Sequence, residues 1–163
     1  MSAADPRAAI LARIPHRPPL LLVDSVEDVH RVDGGPPDRL VAHVRLPDPR
    51  GLVLWQWHDA EAYPTALLLE SFAQAAVVLS RWDDPNPDVR SGAAELLAGV
   101  QGVEFPHPAA PGQLVRHEVT LLRRIGNTAL FGGSSTAAGL EVCRVQQLSV
   151  VAADPAVLTG AAP

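Results

Sequence analysis

One apolar tract limits what this chain can fold into more than any other part of it. Residues 66–79 read ALLLESFAQAAVVL, and Glu70, Ser71 and Gln74 are the polar interruptions. The tract is shorter than the roughly 20 apolar residues that a membrane-spanning helix needs. A helix that is apolar nearly all round has to be covered by protein on every side. We therefore expect a buried helix over residues 64–81, with Thr65 as its N-cap or Pro64 in its first turn.

The segments around this helix carry the patterns of strands. Residues 20–32 predict an irregular strand, and residues 39–46, RLVAHVRL, alternate between apolar and polar positions, which is typical of a half-buried strand. Downstream, strands are predicted over 94–105, 113–124, 128–137 and 140–153, and short turns at 125–127 and 138–139 make hairpins of the last three. The order is strands, one helix, then a run of antiparallel strands, so we predict an α+β fold with a curved sheet wrapped around the helix.

Length and composition narrow the classes further. The 163 residues suit one domain, which we place at residues 13–153, with an N-terminal arm at 1–12 and a flexible tail at 154–163. A net charge of -5 argues against nucleic-acid binding. A single cysteine, Cys143, excludes an internal disulfide and fits a reducing, cytoplasmic setting. The N-terminus lacks the apolar stretch of a signal peptide, so we expect a soluble protein.

Glu70 is the strongest candidate for chemistry. An ionised carboxylate in an apolar site is costly, so such a group either pairs or keeps its proton. A carboxyl group that keeps its proton near neutral pH can serve as a general acid. The alternative is a structural role, in which Glu70 hydrogen-bonds Gln74 one helical turn along.

His58 is the candidate base. It lies in WQWHDAEAYP, residues 55–64, where the aromatic neighbours suggest a sheltered pocket wall, and a histidine there could abstract a proton. It could equally be a surface histidine paired with Asp59 or Glu61. We interpret His16 as a turn residue that anchors the arm, and place His43 and His117 on the polar faces of strands. No histidine has a second histidine or cysteine at metal-ligand spacing, so we predict no metal site.

Three motifs resemble one known family. IPHRPPLLLVDSV, residues 14–26, resembles the opening LPHR-P-LLVD-V of FabZ-type 3-hydroxyacyl-acyl carrier protein dehydratases. PTALLLESFAQAA, residues 64–76, resembles their central-helix motif PG-L-LEA-AQ. LLAGVQGVEFPHPAAPGQLVRHEV, residues 96–119, resembles their FAGID-A-F--PV-PGD-L--EV stretch. The motifs keep their order over about residues 13–153.

The resemblance implies a hot-dog fold and a dimer with active sites at the subunit interface. In that family a histidine of one subunit takes the C2 proton, and the helix carboxyl group of the other protonates the departing C3 hydroxyl. Backbone N–H groups near the helix N-terminus stabilise the thioester enolate. No metal or cofactor takes part, and the substrate arrives on the phosphopantetheine arm of an acyl carrier protein.

The sequence departs from the family at the histidine motif. The family has GHFPG before the helix, but ungapped counting from Glu70 puts Gln56 at the histidine position, and His58 stands two residues later. The glycine that opens the family's helix is Thr65 here. On the resemblance we assign catalysis to Glu70 and His58, and we assign substrate binding to Gln56, Thr65, Gln74 and Phe105.

Three functions remain open at this point. The first is a dehydratase of fatty-acid or polyketide-type biosynthesis that removes water from a 3-hydroxyacyl thioester. The second is a catalytically degraded hot-dog subunit that binds the acyl thioester or steadies an active partner. The third is a hot-dog thioesterase in which Glu70 activates water. We expect a homodimer or a heterodimer with a related subunit, and carrier-protein docking at Arg123 and Arg124.

Overall fold

The computed structural model describes residues 5–48, 61–88 and 93–154. His58 and Gln56 therefore lie outside the described residues. The elements in chain order are α1 (Ala8–Leu11), β1 (Ser25–Arg31), β2 (Pro37–Arg45), α2 (Thr65–Ser80), β3 (Ala94–Glu104), β4 (Leu114–Ile125), β5 (Thr128–Ala137) and β6 (Leu140–Ala153).

Helix α2 begins and ends within one residue of its predicted bounds. Pro64 is the N-cap, with φ −58° and ψ 123°, and no side chain caps the helix. Thr65 is thus the first helical residue and not the N-cap, because proline's fixed φ already suits the entry to a helix. At the other end, Arg81 donates its N–H to the carbonyl of Val77, and the helix stops before the Asp83–Asp84–Pro85 loop.

The six strands form one antiparallel sheet in the order β1-β2-β4-β5-β6-β3. Hairpin turns join β4 to β5 at Gly126–Asn127 and β5 to β6 at Ala138–Gly139, as the turn residues predicted. Strand β3 pairs with β6 and stands last in the order, so its other side is an edge of the described sheet. The sheet and its helix make the α+β hot-dog arrangement that the motifs predicted.

The core lies between α2 and one face of the sheet. The helix packs mainly on β2 and β4 and more lightly on β5 and β6. Phe72 of α2 and Phe131 of β5 are its largest fully buried side chains, and Ile10 and Ile14 close it from the N-terminal segment. Two consequences matter for the site: the helix flank towards β3 is the least covered, and the flank towards β4 is sealed.

A close approach of β4 and β5 depends on Gly133. Its φ is +149°, and a Cβ at this position would lie 2.0 Å from the carbonyl oxygen of Glu118. Only glycine allows this contact, because any side chain would force the two strands apart. The neighbouring register pair, His117 opposite Ser135, is therefore held at close range.

No helix in the described parts of the chain is long and apolar enough to cross a membrane.

Candidate active site

Glu70 lies at the middle of α2, on the flank that faces β3. Its side chain is 40% exposed in the single chain, so the expectation of a helix with no exposed face is wrong at this residue. The reason is the sheet order, which leaves β3 at an edge and gives this flank of the helix little cover. Gln74 donates a hydrogen bond from Nε2 to Glu70 Oε1 at 2.9 Å, which confirms the pairing considered from the sequence.

Gln74 holds this carboxyl group against the segment before β1. Its Oε1 accepts the backbone N–H of Leu22 at 2.9 Å, and its Nε2 also donates to the carbonyl of Leu20 at 2.8 Å. A backbone N–H donates only and a carbonyl accepts only, so these two contacts fix which end of the amide is which. The amide N–H therefore faces Glu70 Oε1, which leaves Oε2 as the oxygen available to carry a proton.

A histidine stands beside Glu70, and the sequence interpretation missed it. His16 Nε2 lies 3.6 Å from Glu70 Oε1, and the His16 side chain is 34% exposed. Its Nδ1 is buried and has no hydrogen-bond partner among the described residues. Burial lowers the pKa of His16 below its ordinary value, Glu70 opposes this shift, and Arg17 adds to it. The only sequence signal was the motif containing His16, because the contact spans more than fifty residues. We call Glu70, Gln74 and His16 the carboxylate flank.

The carboxylate flank lines a small cavity of about 90 Å³. Ala73 and Val77 line the cavity on the same face of the helix as Glu70, and Glu95 and Leu97 of β3 and Val150 of β6 form the opposite wall. The wall is apolar apart from Glu95, and it lies at the edge of the sheet. The arrangement sets one carboxyl group and one imidazole against a mostly apolar surface.

A second polar group lies one residue further along the helix, on its buried side. Ser71 Oγ is 2.7 Å from His117 Nε2, and His117 Nδ1 is 2.7 Å from Ser135 Oγ. The expectation that His117 sits on a polar strand face is wrong, since the side chain is fully buried. In β4 it follows the inward alternation of Val115 and Val119, and two serines from other elements satisfy its ring. We call Ser71, His117 and Ser135 the serine–histidine cluster.

The hydrogen bonds of this cluster specify a neutral imidazole. Ser71 donates its single hydroxyl proton to the carbonyl of Leu22 at 2.5 Å, so its oxygen accepts from His117 Nε2–H. His117 Nδ1 is then an acceptor, and the Ser135 hydroxyl group donates a hydrogen bond to it. Burial lowers the pKa of His117 to about 3, and His43 adds to the shift. The cluster is complete without further partners, which is typical of a structural polar group.

The helix N-terminus presents backbone donors. The first intrahelical hydrogen bond runs from Leu68 N–H to the carbonyl of Pro64 at 3.1 Å. The N–H groups of Thr65, Ala66 and Leu67 therefore have no partner in the helix ladder. Thr65 itself is exposed, about 7.5 Å along the helix axis from Glu70.

The remaining predicted residues lie further away. Phe105 is exposed just beyond β3, roughly 25 Å along the strand from Leu97, so one chain alone does not bring it to Glu70. Arg123 and Arg124 are exposed near the end of β4, and Arg124 lies 3.5 Å from Ser80 Oγ at the end of α2. Among the residues with described positions, no three His, Cys, Asp or Glu side chains form a metal-binding group.

Comparison with known proteins identifies the family. No protein-family model matches the chain. A 3-hydroxyacyl-[acyl-carrier-protein] dehydratase FabZ of Albidiferax ferrireducens is 38% identical over 118 residues, 70% of this chain and 72% of the relative. The chain belongs to the FabZ family. The FabZ of Tolumonas auensis is 30% identical over 141 residues, 84% of this chain and 88% of the relative.

Solved structures agree with the fold of a FabZ-family protein. The dehydratase heterocomplex ApeI:P from Xenorhabdus doucetiae matches with a TM-score of 0.71 at 19% identity, covering 93% of this chain and 95% of that chain. A hypothetical thioesterase protein with coenzyme A from Streptococcus pneumoniae matches with a TM-score of 0.55 at 9% identity, over 80% of this chain and 85% of that chain. At these identities the likeness shows the hot-dog fold alone.

Proposed function

We propose that the chain is a subunit of a 3-hydroxyacyl-[acyl carrier protein] dehydratase, with Glu70 as the general acid. The observation that carries the proposal is the Glu70 carboxyl group, which opens from a buried helix into a largely apolar cavity and is oriented by Gln74. Membership of the FabZ family supplies the substrate class, a 3-hydroxyacyl thioester in fatty-acid or polyketide-type biosynthesis.

The reaction divides between an acid, a base and an enolate site. The base takes the C2 proton, the pair of electrons forms the C2=C3 double bond, and the C3–O bond breaks as Glu70 protonates the departing hydroxyl group. The N–H groups at the start of α2 that lie outside the helix ladder, from Thr65 onwards, are suited to the developing negative charge on the thioester oxygen. The base that the sequence offers is His58, and Gln56 stands at the family's histidine position.

The proposed assembly is a dimer across β3. This strand ends the described sheet and exposes Leu96, Leu97 and Val100, an apolar row at an edge that a second subunit would cover. The partner is a second copy or a related hot-dog subunit, and the name of the ApeI:P heterocomplex supports the second kind. Sedimentation of the purified chain, alone and with a related subunit, tests this, and a stable monomer in both cases would contradict it.

The proposed docking site for the carrier protein is the rim at Arg123 and Arg124. Arg124 lines a cavity of about 330 Å³ at the end of α2, and Glu95 lines both this cavity and the one at Glu70. The distance between them is about 15 Å along the helix, and a nearly buried ion pair between Arg81 and Glu95, at 2.8 Å, lies between the two cavities. A phosphopantetheine arm entering at the rim would have to pass this ion pair to reach Glu70.

Removing both rim charges tests the docking site. We expect the Arg123→Ser, Arg124→Ser double variant to bind carrier protein about tenfold more weakly and with a flatter salt dependence, because rim charges act mainly on encounter. The measurement is a binding titration at several salt concentrations, with Arg45→Ser as the control for loss of a distant charge. Unchanged binding would mean that the two arginines only keep the hairpin soluble.

A helper subunit is the second candidate, and the displaced histidine favours it. In a mixed dimer this chain would contribute Glu70 to a site whose histidine comes from the partner. Activity would then require both chains, whereas a complete dehydratase would act alone.

Hydration of a crotonyl or longer enoyl thioester is the test of the proposed function. We expect Glu70→Gln to lower turnover by about 10²–10⁴-fold with the fold intact, because the amide keeps the shape and cannot deliver a proton. Each variant is assayed alone and with a related subunit, which separates the dehydratase from the helper. Full activity of Glu70→Gln in both settings would contradict both candidates.

A further inference from the structure

We propose that the ion pair between Arg81 and Glu95 is a specificity-determining gate on the passage from the rim to Glu70. It closes this passage to free thioesters and opens when an acidic carrier protein docks at the rim. The inference rests on the proposed function and deepens it, because it gives the reason why the substrate has to arrive on a carrier. We call this ion pair the gate.

The gate stands where the passage is narrowest. Between the cavity at Glu70 and the cavity at the rim lies a third one of about 20 Å³, whereas its neighbours measure about 90 Å³ and 330 Å³. It shares Val77 and Glu95 with the first, and Arg81 and Glu95 with the second. A space of this size holds about one water molecule. A phosphopantetheine arm therefore cannot pass while the gate is closed.

The contact between the two charges is close, but it is not a hydrogen bond. Arg81 Nε lies 2.8 Å from Glu95 Oε1, yet this nitrogen makes no hydrogen bond to any described residue. The two side chains are only 11% and 10% exposed, so solvent and salt screen their attraction weakly. Charge thus holds the gate closed as long as no other charged surface approaches.

Each side of the gate has further partners that it keeps when the pair separates. The guanidinium group of Arg81 also contacts Asp84 Oδ2 at 3.1 Å and the carbonyl of Ala93 at 3.0 Å. The carboxylate of Glu95 accepts a hydrogen bond from Ser80 Oγ at 3.3 Å. Opening therefore leaves neither charge alone in a buried site, which is the main penalty for breaking such a pair.

Ser80 connects the gate to the docking rim. Its hydroxyl oxygen, which donates to Glu95, lies 3.5 Å from a guanidinium nitrogen of Arg124. The two exposed arginines of the rim fit a partner with an acidic surface. Such a surface, docked at the rim, attracts Arg81 and repels Glu95, so its field acts on both charges in the direction that separates them.

Hydration of two matched substrates isolates the gate. Crotonyl pantetheine and a crotonyl acyl carrier protein present the same thioester arm apart from its phosphate, but only the second can dock at the rim. We expect Glu95→Ala to raise kcat/KM for crotonyl pantetheine about tenfold, because an open passage is no longer a minor state. The value for the carrier-bound substrate should stay within about threefold. Each protein is assayed alone and with a related hot-dog subunit.

Two further variants guard this interpretation. Glu95→Gln keeps the size of the side chain and an acceptor for Ser80 but removes the charge. It should raise the rate with crotonyl pantetheine in the same direction, even if Glu95→Ala folds poorly. Glu104→Ala is the matched control, because it removes a carboxylate from the exposed ion pair with Arg144 at the far end of the same strand. It should change neither rate.

The rim and the gate should be coupled for the carrier-bound substrate. In the wild type, the Arg123→Ser, Arg124→Ser double variant should lower kcat/KM about 100-fold, because a loss of about tenfold in encounter multiplies one of about tenfold in opening. In Glu95→Ala, which has no gate to open, the same double variant should lose only about tenfold. Equal losses in the two backgrounds would show that docking does not open the gate.

The outcomes separate this inference from the proposed function. If both Glu95 variants kept the two rates within about threefold of wild type, or lowered both equally, the gate would be overturned. The proposed function would still stand, provided that the wild type hydrates the crotonyl carrier protein. A wild-type chain that hydrates neither substrate, alone or with a related hot-dog subunit, would remove the proposed function and the gate together.

Discussion

Glu70 and Ser71 are consecutive residues of α2, yet they face two different environments. Ser71 points into the sealed side of the helix, where the serine–histidine cluster pairs every polar atom of His117. Glu70 points to the open side, where the carboxylate flank holds a half-exposed carboxyl group and an imidazole whose Nδ1 has no partner among the described residues. A polar group that is buried and satisfied stabilises a fold, whereas one that is open and incompletely paired is available to a substrate.

Replacing the buried histidine should cause the largest change in stability that this comparison predicts. His117→Ala removes a fully buried ring and leaves Ser135 without its acceptor, so we expect the free energy of unfolding to fall by about 3 kcal/mol. Activity per folded molecule should stay within about threefold. Urea unfolding and active-site-normalised turnover measure the two quantities, and His30→Ala is the surface control. If His117→Ala kept wild-type stability and lost turnover, the serine–histidine cluster would serve activity and not stability.

Gln74 contacts both the buried segment before β1 and Glu70, so its loss should lower both stability and turnover. Gln74→Met keeps the length of the side chain but leaves the buried N–H of Leu22 unpaired and frees Glu70 Oε1. We expect the free energy of unfolding to fall by about 2 kcal/mol and turnover to fall about tenfold. Urea unfolding and enoyl hydration on one preparation test this. A change in the free energy of unfolding alone, or in turnover alone, would show that Gln74 supports only the fold or only the site.

Lowering the pH should reduce the contribution of the serine–histidine cluster to the free energy of unfolding, by less per pH unit than either substitution does. The pKa of His117 is about 3 in the folded chain and near 6.5 when exposed, so between these values the unfolded chain binds a proton that the folded chain does not. The His117 contribution to stability is therefore complete above pH 6.5 and declines as the pH falls towards 3, by about 1.4 kcal/mol per pH unit.

The difference between wild type and His117→Leu isolates this contribution. The carboxyl groups titrate in both proteins, so their contributions cancel in the difference. The difference in the free energy of unfolding, measured between pH 7 and pH 4.5, therefore gives the pH dependence that His117 contributes. A difference that is independent of pH would mean that His117 is already charged in the folded chain.

Much of the fold follows from local patterns in the sequence. The apolar tract predicts α2 to within one residue at each end, and the short turns at Gly126 and Ala138–Gly139 predict both hairpins. Local periodicity does not determine sheet order. Strand β3 pairs with β6, with paired residues 40 to 59 positions apart in the chain, and that pairing leaves the Glu70 flank open. The single chain therefore does not cover the helix at Glu70, although the apolar tract alone predicts cover on every side.

The site was less predictable because its contacts join distant segments. His117 alternates with valines in β4, but a histidine at such a position is tolerated only because Ser71 and Ser135 supply partners, 46 and 18 residues away. His16 meets Glu70 through the packing of the N-terminal segment against α2. Thr65, Phe105, Gln56 and His58 were assigned on resemblance, and their roles stay predictions.

The single cysteine of the chain makes the serine–histidine cluster open to kinetic measurement. Cys143 is fully buried on β6 and stands opposite Ser135 of β5 in the sheet register. Burial raises the pKa of its thiol to about 12, with Glu141 adding to the shift, so the reactive thiolate is scarce at neutral pH. A thiol reagent can then modify the native chain only during openings that part these two strands. The rate at which a thiol reagent labels the unmodified protein therefore measures how often β5, the strand that carries Ser135, separates from β6. No engineered probe is needed.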